Sequence, residues 1–173
     1  MSAGRKNTSE KKNWNTPPNY VRVIKEFFDG VPQLDPCSNE SSMVGAKNQY
    51  ISPIDGLAES WDYDTIFVNP PYGRNAENKT TIKNWLQRGL EAHVRGAEIL
   101  YLIPVATNAS HFKDIIFKHA DSLCFLKDTR LKFWDGGIEM QKGAPMACCF
   151  VYFGKRTEKF FDCFSAWGKC FKI

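Results

Sequence analysis

No apolar run in this 173-residue chain is long enough to cross a bilayer, which excludes a membrane-spanning helix. The first residues, M-S-A-G-R-K-N-T-S-E-K-K-N, lack the apolar stretch of a signal peptide, so a cytoplasmic protein is expected. The six cysteines (37, 124, 148, 149, 163 and 170) include no C-x-x-C pair, and only three histidines accompany them. The spacing of a zinc site is missing, and no metal is expected. Internal repeats and low-complexity segments are absent as well. The charge is only mildly unbalanced, 23 basic against 19 acidic residues, a net +4 that leans toward a polyanionic partner without specifying one. At 43% hydrophobic residues the chain can fill a core of its own. A polar, lysine-rich tail is expected over residues 1–13, and one domain over 14–173.

Periodicity supplies the architecture. Helical spacing of apolar residues marks 20–28, 81–95, 110–119 and 157–167. Strands are expected at 33–35, 48–52, 64–68, 97–105, 122–126 and 146–153, with a short one ending at Ile173. The run A-E-I-L-Y-L-I-P-V at 97–105 is apolar without alternation, as suits a strand covered on both faces. Cys148 and Cys149 fall in another such run and read as small core residues. Strands alternating with helices imply an α/β fold, a mostly parallel central sheet with helices on both faces. Ligands of such sheets sit beyond the carboxyl ends of the strands, where strand order reverses.

One of those ends is unusual. The strand D-T-I-F-V runs into Asn69-Pro70-Pro71-Tyr72. Two consecutive prolines offer carbonyl oxygens and no N–H donors, and Asn69 adds a side-chain carbonyl. Such a stiff cluster of acceptors suits a substrate with a planar NH₂ group. Adenine's exocyclic amine is a poor nucleophile because its lone pair is delocalised into the ring. Two acceptors on its hydrogens would localise that lone pair for attack on an activated methyl group. Tyr72 offers a ring face for stacking, worth about 1–3 kcal/mol per base. In a duplex the base must first leave the stack. The bland alternative is a turn that merely ends a strand.

Four segments together resemble the phage-type DNA adenine-N6 methyltransferases, a Dam-like, S-adenosylmethionine-dependent family. They are W-N-T-P-P at 14–18, L-D-P-C-S-N at 34–39, F-V-N-P-P-Y at 67–72, and T-R-L-K-F-W at 129–134 followed by G-A-P-M-A at 143–147. The resemblance spans about residues 14–154 and implies a Rossmann-like methyltransferase fold, S-adenosyl-L-methionine as cofactor, double-stranded DNA as partner, and Asn69, Pro70, Pro71 and Tyr72 as the catalytic turn. It also implies that Thr16 and Pro17 line the methionine end of the cofactor with Trp14 close by. Asp35 would meet the cofactor's ammonium or sulfonium region, with Asn39 nearby, and Asp55 would accept from its adenine amine. Each has an ordinary structural counterpart: Thr16 as helix N-cap with Pro17 as first helical residue, Asp35 as a strand-ending turn former, Asp55 as half of an Asp-Gly turn. In one respect the chain departs from many methyltransferases. Asp35 is followed by P-C-S-N-E-S-S-M-V, and Gly45 is the first glycine after it, so no glycine-rich loop follows the first strand.

Little chain separates Asp35 from Asn69, which leaves no room for a separate target-recognition domain. Recognition would fall to the loops 73–80, 106–110 and 134–145. Arg74, Lys79, Lys83, Arg130, Lys132 and Lys142 are the candidate phosphate contacts, set against the usual role of such side chains as solvated surface. Phe133 is expected to wall the base pocket, with a core position as its alternative. Two other readings remain open. The acceptor could be a planar amine of RNA or a protein glutamine amide, or the chain could be a catalytically silent DNA-binding module. By resemblance the T-R-L-K-F and G-A-P-M-A segments favour DNA, and small size with this resemblance suggests a bacterial, phage or prophage setting.

Overall fold

The computed structural model describes residues 14–74, 79–128, 130–144 and 146–173. The expected polar tail at 1–13 lies outside these residues, as do 75–78 of the first recognition loop, Thr129 and Pro145.

Seven strands form one sheet in the order β2-β1-β3-β4-β8-β5-β9, from β1 (Leu34–Ser38), β2 (Asn48–Ile51), β3 (Thr65–Val68), β4 (Glu98–Pro104), β5 (Ser122–Leu126), β8 (Cys148–Phe153) and β9 (Gly168–Lys172). The pairs β1·β2, β1·β3 and β3·β4 are parallel, while β8 runs against both β4 and β5, and β9 against β5. The α/β expectation of a mostly parallel sheet therefore holds, with β8 and β9 reversed.

Alternation along the strands divides two cores. Phe67, Leu100 and Leu102 face α1 (Pro18–Phe27) and α4 (Thr157–Phe164), while Ile66, Val68, Ile99 and Tyr101 face α2 (Ile82–Val94). On that second face a π-helical turn, Phe112–Ile116, leads into the short α3 (Phe117–His119). Every residue of β8 and nearly all of β4 is buried, which explains their unbroken apolar runs. Cys148 and Cys149 lie in this core.

Two expectations need correction. Thr16 does not cap α1. Pro17 occupies the N-cap position with φ −58° and ψ 147°, and the helix begins at Pro18 with no side-chain cap. The reason is steric: a residue before proline is driven to extended backbone, so Pro17 cannot be helical ahead of Pro18. The segment 134–145 is not simply a loop either. It contains a short hairpin, β6 (Trp134–Asp135) and β7 (Ile138–Glu139), turned by Gly136 and Gly137, both at positive φ.

The chain leaves β1 for β2 on one side, then returns to β3 on the other. Strand order reverses between β1 and β3; β1 runs past Asp35 to Ser38, so Asp35-Pro36-Cys37 lies inside the strand and does not end it, while Asn69 directly follows β3.

Candidate active site

Asn69 follows the last residue of β3, and Pro70, which has no N–H, ends the ladder there. The Asn69 side-chain amide donates from Nδ2 to the Trp14 carbonyl oxygen and to Thr16 Oγ1, each at 3.3 Å. A carbonyl can only accept, so the NH₂ must lie on that side and Oδ1 on the other. Pro70 is buried beneath it and Pro71 is exposed.

The stretch carrying Trp14 and Thr16 is held by both backbone and side chain. Asn15 N–H donates to the Trp134 carbonyl at 2.8 Å, and Trp134 N–H returns a bond to Asn15 at 3.1 Å. Asn15 Nδ2 donates to Ser41 Oγ, and Asn39 Nδ2 donates to Asn15 Oδ1, both at 2.8 Å. Asn15 is only 3% exposed, so these bonds are what make its burial tolerable. Its role was missed in the sequence because nothing there shows which strand or hairpin supplies its partners.

Trp14, Thr16, Asp35, Asn39 and Asn69, five of the sequence-derived candidates, line one recess together with Asn15, Cys37, Ser38, Ser42, Val44 and Phe67. It is narrow, with room for little more than a water molecule, about 10 Å³. Asp35 is 4% exposed and its carboxyl is pushed up to about 7, chiefly by burial, although the Cys37 backbone N–H and the Ser38 hydroxyl pull it down. The Cys37 N–H lies 3.2 Å from Asp35 Oδ1. Among the described residues no cationic side chain forms an ion pair with this carboxylate. Burial, with Asp35 beside it, likewise raises the Cys37 thiol.

Aromatic rings close one side. Trp14 lies flat on Phe133, with centroids 5.0 Å apart, and Tyr72 meets both edge-on at 6.1 and 5.5 Å. Phe133 is thus at once a core residue and a support for the site. Tyr72 is half-buried. Its hydroxyl donates to the Leu102 carbonyl at 3.3 Å, and burial drives its phenol well above the usual value.

The remaining candidates lie elsewhere. Asp55 is exposed, and its Oδ1 accepts from Leu57 N–H at 3.0 Å in its own turn. That turn packs on the end of β1, since a Cβ on Gly56 would fall 1.8 Å from the Pro36 carbonyl oxygen. Pro17, Arg130 and Lys132 border a separate, more open groove with Tyr20, Asp128 and Trp134. Arg74, Lys79 and Lys142 are exposed. Lys83 pairs with Asp114 at 3.0 Å, and Lys132 with Glu139 at 3.4 Å.

The donor set fits S-adenosylmethionine. A buried carboxylate without a cation faces the recess, and the Trp14 indole Nε1 is buried with no hydrogen-bond partner among the described residues. The first suits an ammonium or sulfonium, the second an acceptor oxygen. No group of histidine, cysteine or acidic residues able to hold a metal ion occurs among the described residues, and no helix there is long and apolar enough to cross a membrane.

No curated protein matches the sequence. Among solved structures, a Listeria monocytogenes protein provisionally assigned as a class I S-adenosylmethionine-dependent methyltransferase superposes with a TM-score of 0.54 at 13% identity, over 87% of this chain and 64% of that one. The chain thus spans somewhat less than two thirds of that protein, and at this identity the likeness speaks to the Rossmann-like methyltransferase fold. The family description "DNA N-6-adenine-methyltransferase (Dam)" matches residues 4–167. That match covers nearly the whole sequence, and the chain belongs to the Dam family of S-adenosylmethionine-dependent DNA adenine-N6 methyltransferases.

Proposed function

We propose that this protein methylates the N6 amine of an adenine that has swung out of duplex DNA into the recess beside Asn69. The observation that carries the reading is the fixed orientation of the Asn69 amide. Its NH₂ group is engaged by Trp14 and Thr16, so Oδ1 is left to accept, at the end of β3 and in the same recess as Asp35.

Asn69 Oδ1 and the Pro70 carbonyl take the two hydrogens of the adenine amine and draw its nitrogen toward tetrahedral geometry. The lone pair would then attack the methyl carbon of the bound donor as its C–S bond breaks, the neutral thioether would leave, and the proton shed by the amine would pass to solvent. When bound, S-adenosylmethionine supplies the electrophilic methyl group. Asp35 faces the cationic part of that cofactor, while Trp14, Thr16 and Asn39 hold its amino-acid end and Pro17 backs them. Asp55, on the turn that packs against β1, takes the cofactor's adenine amine. Tyr72 presents its half-exposed ring to the flipped base. Pro71 keeps the turn rigid. Preorganised acceptors of this kind lower the barrier without any need for a strong base.

On the DNA side, Arg74, Lys79 and Lys142 are exposed to meet phosphates, and Arg130, Lys132 and Lys83 are assigned the same role. Within this chain, recognition comes from the loops and the hairpin.

The test is to supply methyl-labelled cofactor with duplex DNA, RNA or protein, and then to digest and identify the modified atom. N6-methyladenine in DNA is the expected product. Label in RNA or in glutamine, and none in DNA, would refute the proposal. Asn69→Ala should lose transfer while keeping cofactor affinity.

A further inference from the structure

We infer that Thr16 is a positioning residue, whose hydroxyl holds the Asn69 carboxamide in the orientation that the Trp14 carbonyl sets. The inference rests on the reading of Asn69 as the group that grips the amine.

Thr16 is 4% exposed, and its hydroxyl makes no capping bond to α1. Its Oγ1 lies 3.3 Å from Asn69 Nδ2, on the same side of the amide as the Trp14 carbonyl. A carboxamide turns about its last torsion with a broad, nearly two-fold preference, so its two ends are sterically interchangeable. The Trp14 carbonyl, which can only accept, makes them chemically distinct, and the Thr16 hydroxyl, which can accept or donate, adds a second bond on the NH₂ that holds that choice. The opposite orientation would place the amide oxygen against the Trp14 carbonyl and an NH₂ against the substrate's own NH₂. Both contacts are unfavourable.

The strap that delivers these acceptors is itself held from two directions. Trp134 of the hairpin binds the Asn15 backbone, while Ser41 and Asn39 bind the Asn15 side chain. The Thr16 oxygen therefore stands at a defined distance from Asn69. Its own proton has no acceptor among the described residues and is free to donate into the recess. One hydroxyl can thus accept from Asn69 and donate to a cofactor oxygen, and a donated bond strengthens its acceptance.

The test compares Thr16→Val, Thr16→Ser and Asn69→Ala. Thr16→Val keeps shape but removes the hydroxyl. It should lower kcat by roughly 10- to 100-fold at DNA and cofactor concentrations high enough to saturate the variant, a loss separate from any weakening of cofactor Kd. Thr16→Ser should restore most of kcat. A second readout needs no turnover. The Asn69 side-chain NH₂ protons, followed by NMR, should be resolved and slow to exchange in the parent and in Thr16→Ser, and should lose that protection in Thr16→Val. Should Thr16→Val not fold, Thr16→Ala serves in both measurements. An unchanged kcat with protected Asn69 protons in Thr16→Val overturns the inference, as does a weakened cofactor Kd with kcat intact. Native-rate DNA methylation by Asn69→Ala would instead overturn the reading of Asn69 itself.

Discussion

The indole of Trp14 lies 18° from parallel on the ring of Phe133, and that pair ties the start of the domain to the strand entering the hairpin. Trp14 also supplies the carbonyl that orients Asn69, so the stack bears indirectly on the amine-gripping turn. Phe133→Leu nearly keeps volume but removes the stacked face. It should cost about 1–2 kcal/mol in denaturant unfolding. It should also lower kcat/KM for DNA roughly tenfold, a loss of about 1.4 kcal/mol in transition-state stabilisation. Full activity in a variant with that stability loss would separate the stack from the site.

Asp35 predicts opposite pH trends for the free protein and for cofactor binding. Its folded value of about 7 is well above that of an unfolded aspartate, because burial disfavours the charge. Its contribution to stability is therefore fully present below about pH 4 and is lost as pH rises toward 7, by at most about 1.4 kcal/mol per pH unit. A cationic cofactor prefers the ionised form, so affinity should rise up to about tenfold per unit until pH 7 and then level. Calorimetry in buffers of different ionisation enthalpy should show proton release near pH 6. In Asp35→Asn that release and the affinity trend should disappear. Equal proton release in the variant would assign the effect to another group.

Gly89 gives a stability prediction that the helix pattern alone would reverse. Gly→Ala inside a helix ordinarily gains about 1 kcal/mol. Here a Cβ would lie 1.7 Å from the Tyr101 hydroxyl, which donates to the Trp85 carbonyl at 2.9 Å. Both partners are held, so Gly89→Ala should destabilise by about 1–3 kcal/mol. Tyr101→Phe should recover part of that cost in the double variant, since the nearest atom is gone while the ring carbon, 2.8 Å away, remains. Additive single-variant effects in denaturant melts would contradict the contact.

What the sequence showed and what it hid follow from the range of each interaction. β3, β4, β5 and α2 were legible because their apolar periods are local, and the N-P-P-Y turn was legible because prolines impose their geometry on their own residues. Strand direction was not: β8 reads as one more apolar run, and only its partners β4 and β5 make it antiparallel. α1 starts at Pro18, two residues before the expected Tyr20, because the apolar spacing that marks the helix begins only at Tyr20; the capping alternative for Thr16 fails because Pro18 drives Pro17 out of helical backbone. The cyclic bonding of Asn15, Asn39 and Ser41 joins residues far apart in sequence, and polar side chains carry no signature of such partners.

The basic residues assigned to phosphate contacts should differ in their hold on DNA according to their present partners. Arg74 and Lys142 are exposed with no ion-pair partner among the described residues, whereas Lys132 faces Glu139 and Lys83 faces Asp114. Each phosphate neutralised contributes about 0.9 to the slope of log affinity against log salt. Arg74→Ala and Lys142→Ala should each flatten that slope by roughly one. Lys132→Ala should flatten it less, because a cation already paired gives up its carboxylate to reach a phosphate. Exposed pairs are worth about 1 kcal/mol or less, so Glu139 restrains Lys132 without removing it from play. Glu139→Gln then becomes the informative variant: it frees Lys132 and removes a negative charge from the hairpin, and should tighten binding severalfold at low salt with little change at high salt. Fluorescence anisotropy on a labelled duplex across a salt series measures all four. Slopes unaltered by Arg74→Ala and Lys142→Ala, with affinity unaltered by Glu139→Gln, would place the DNA on another face of the protein.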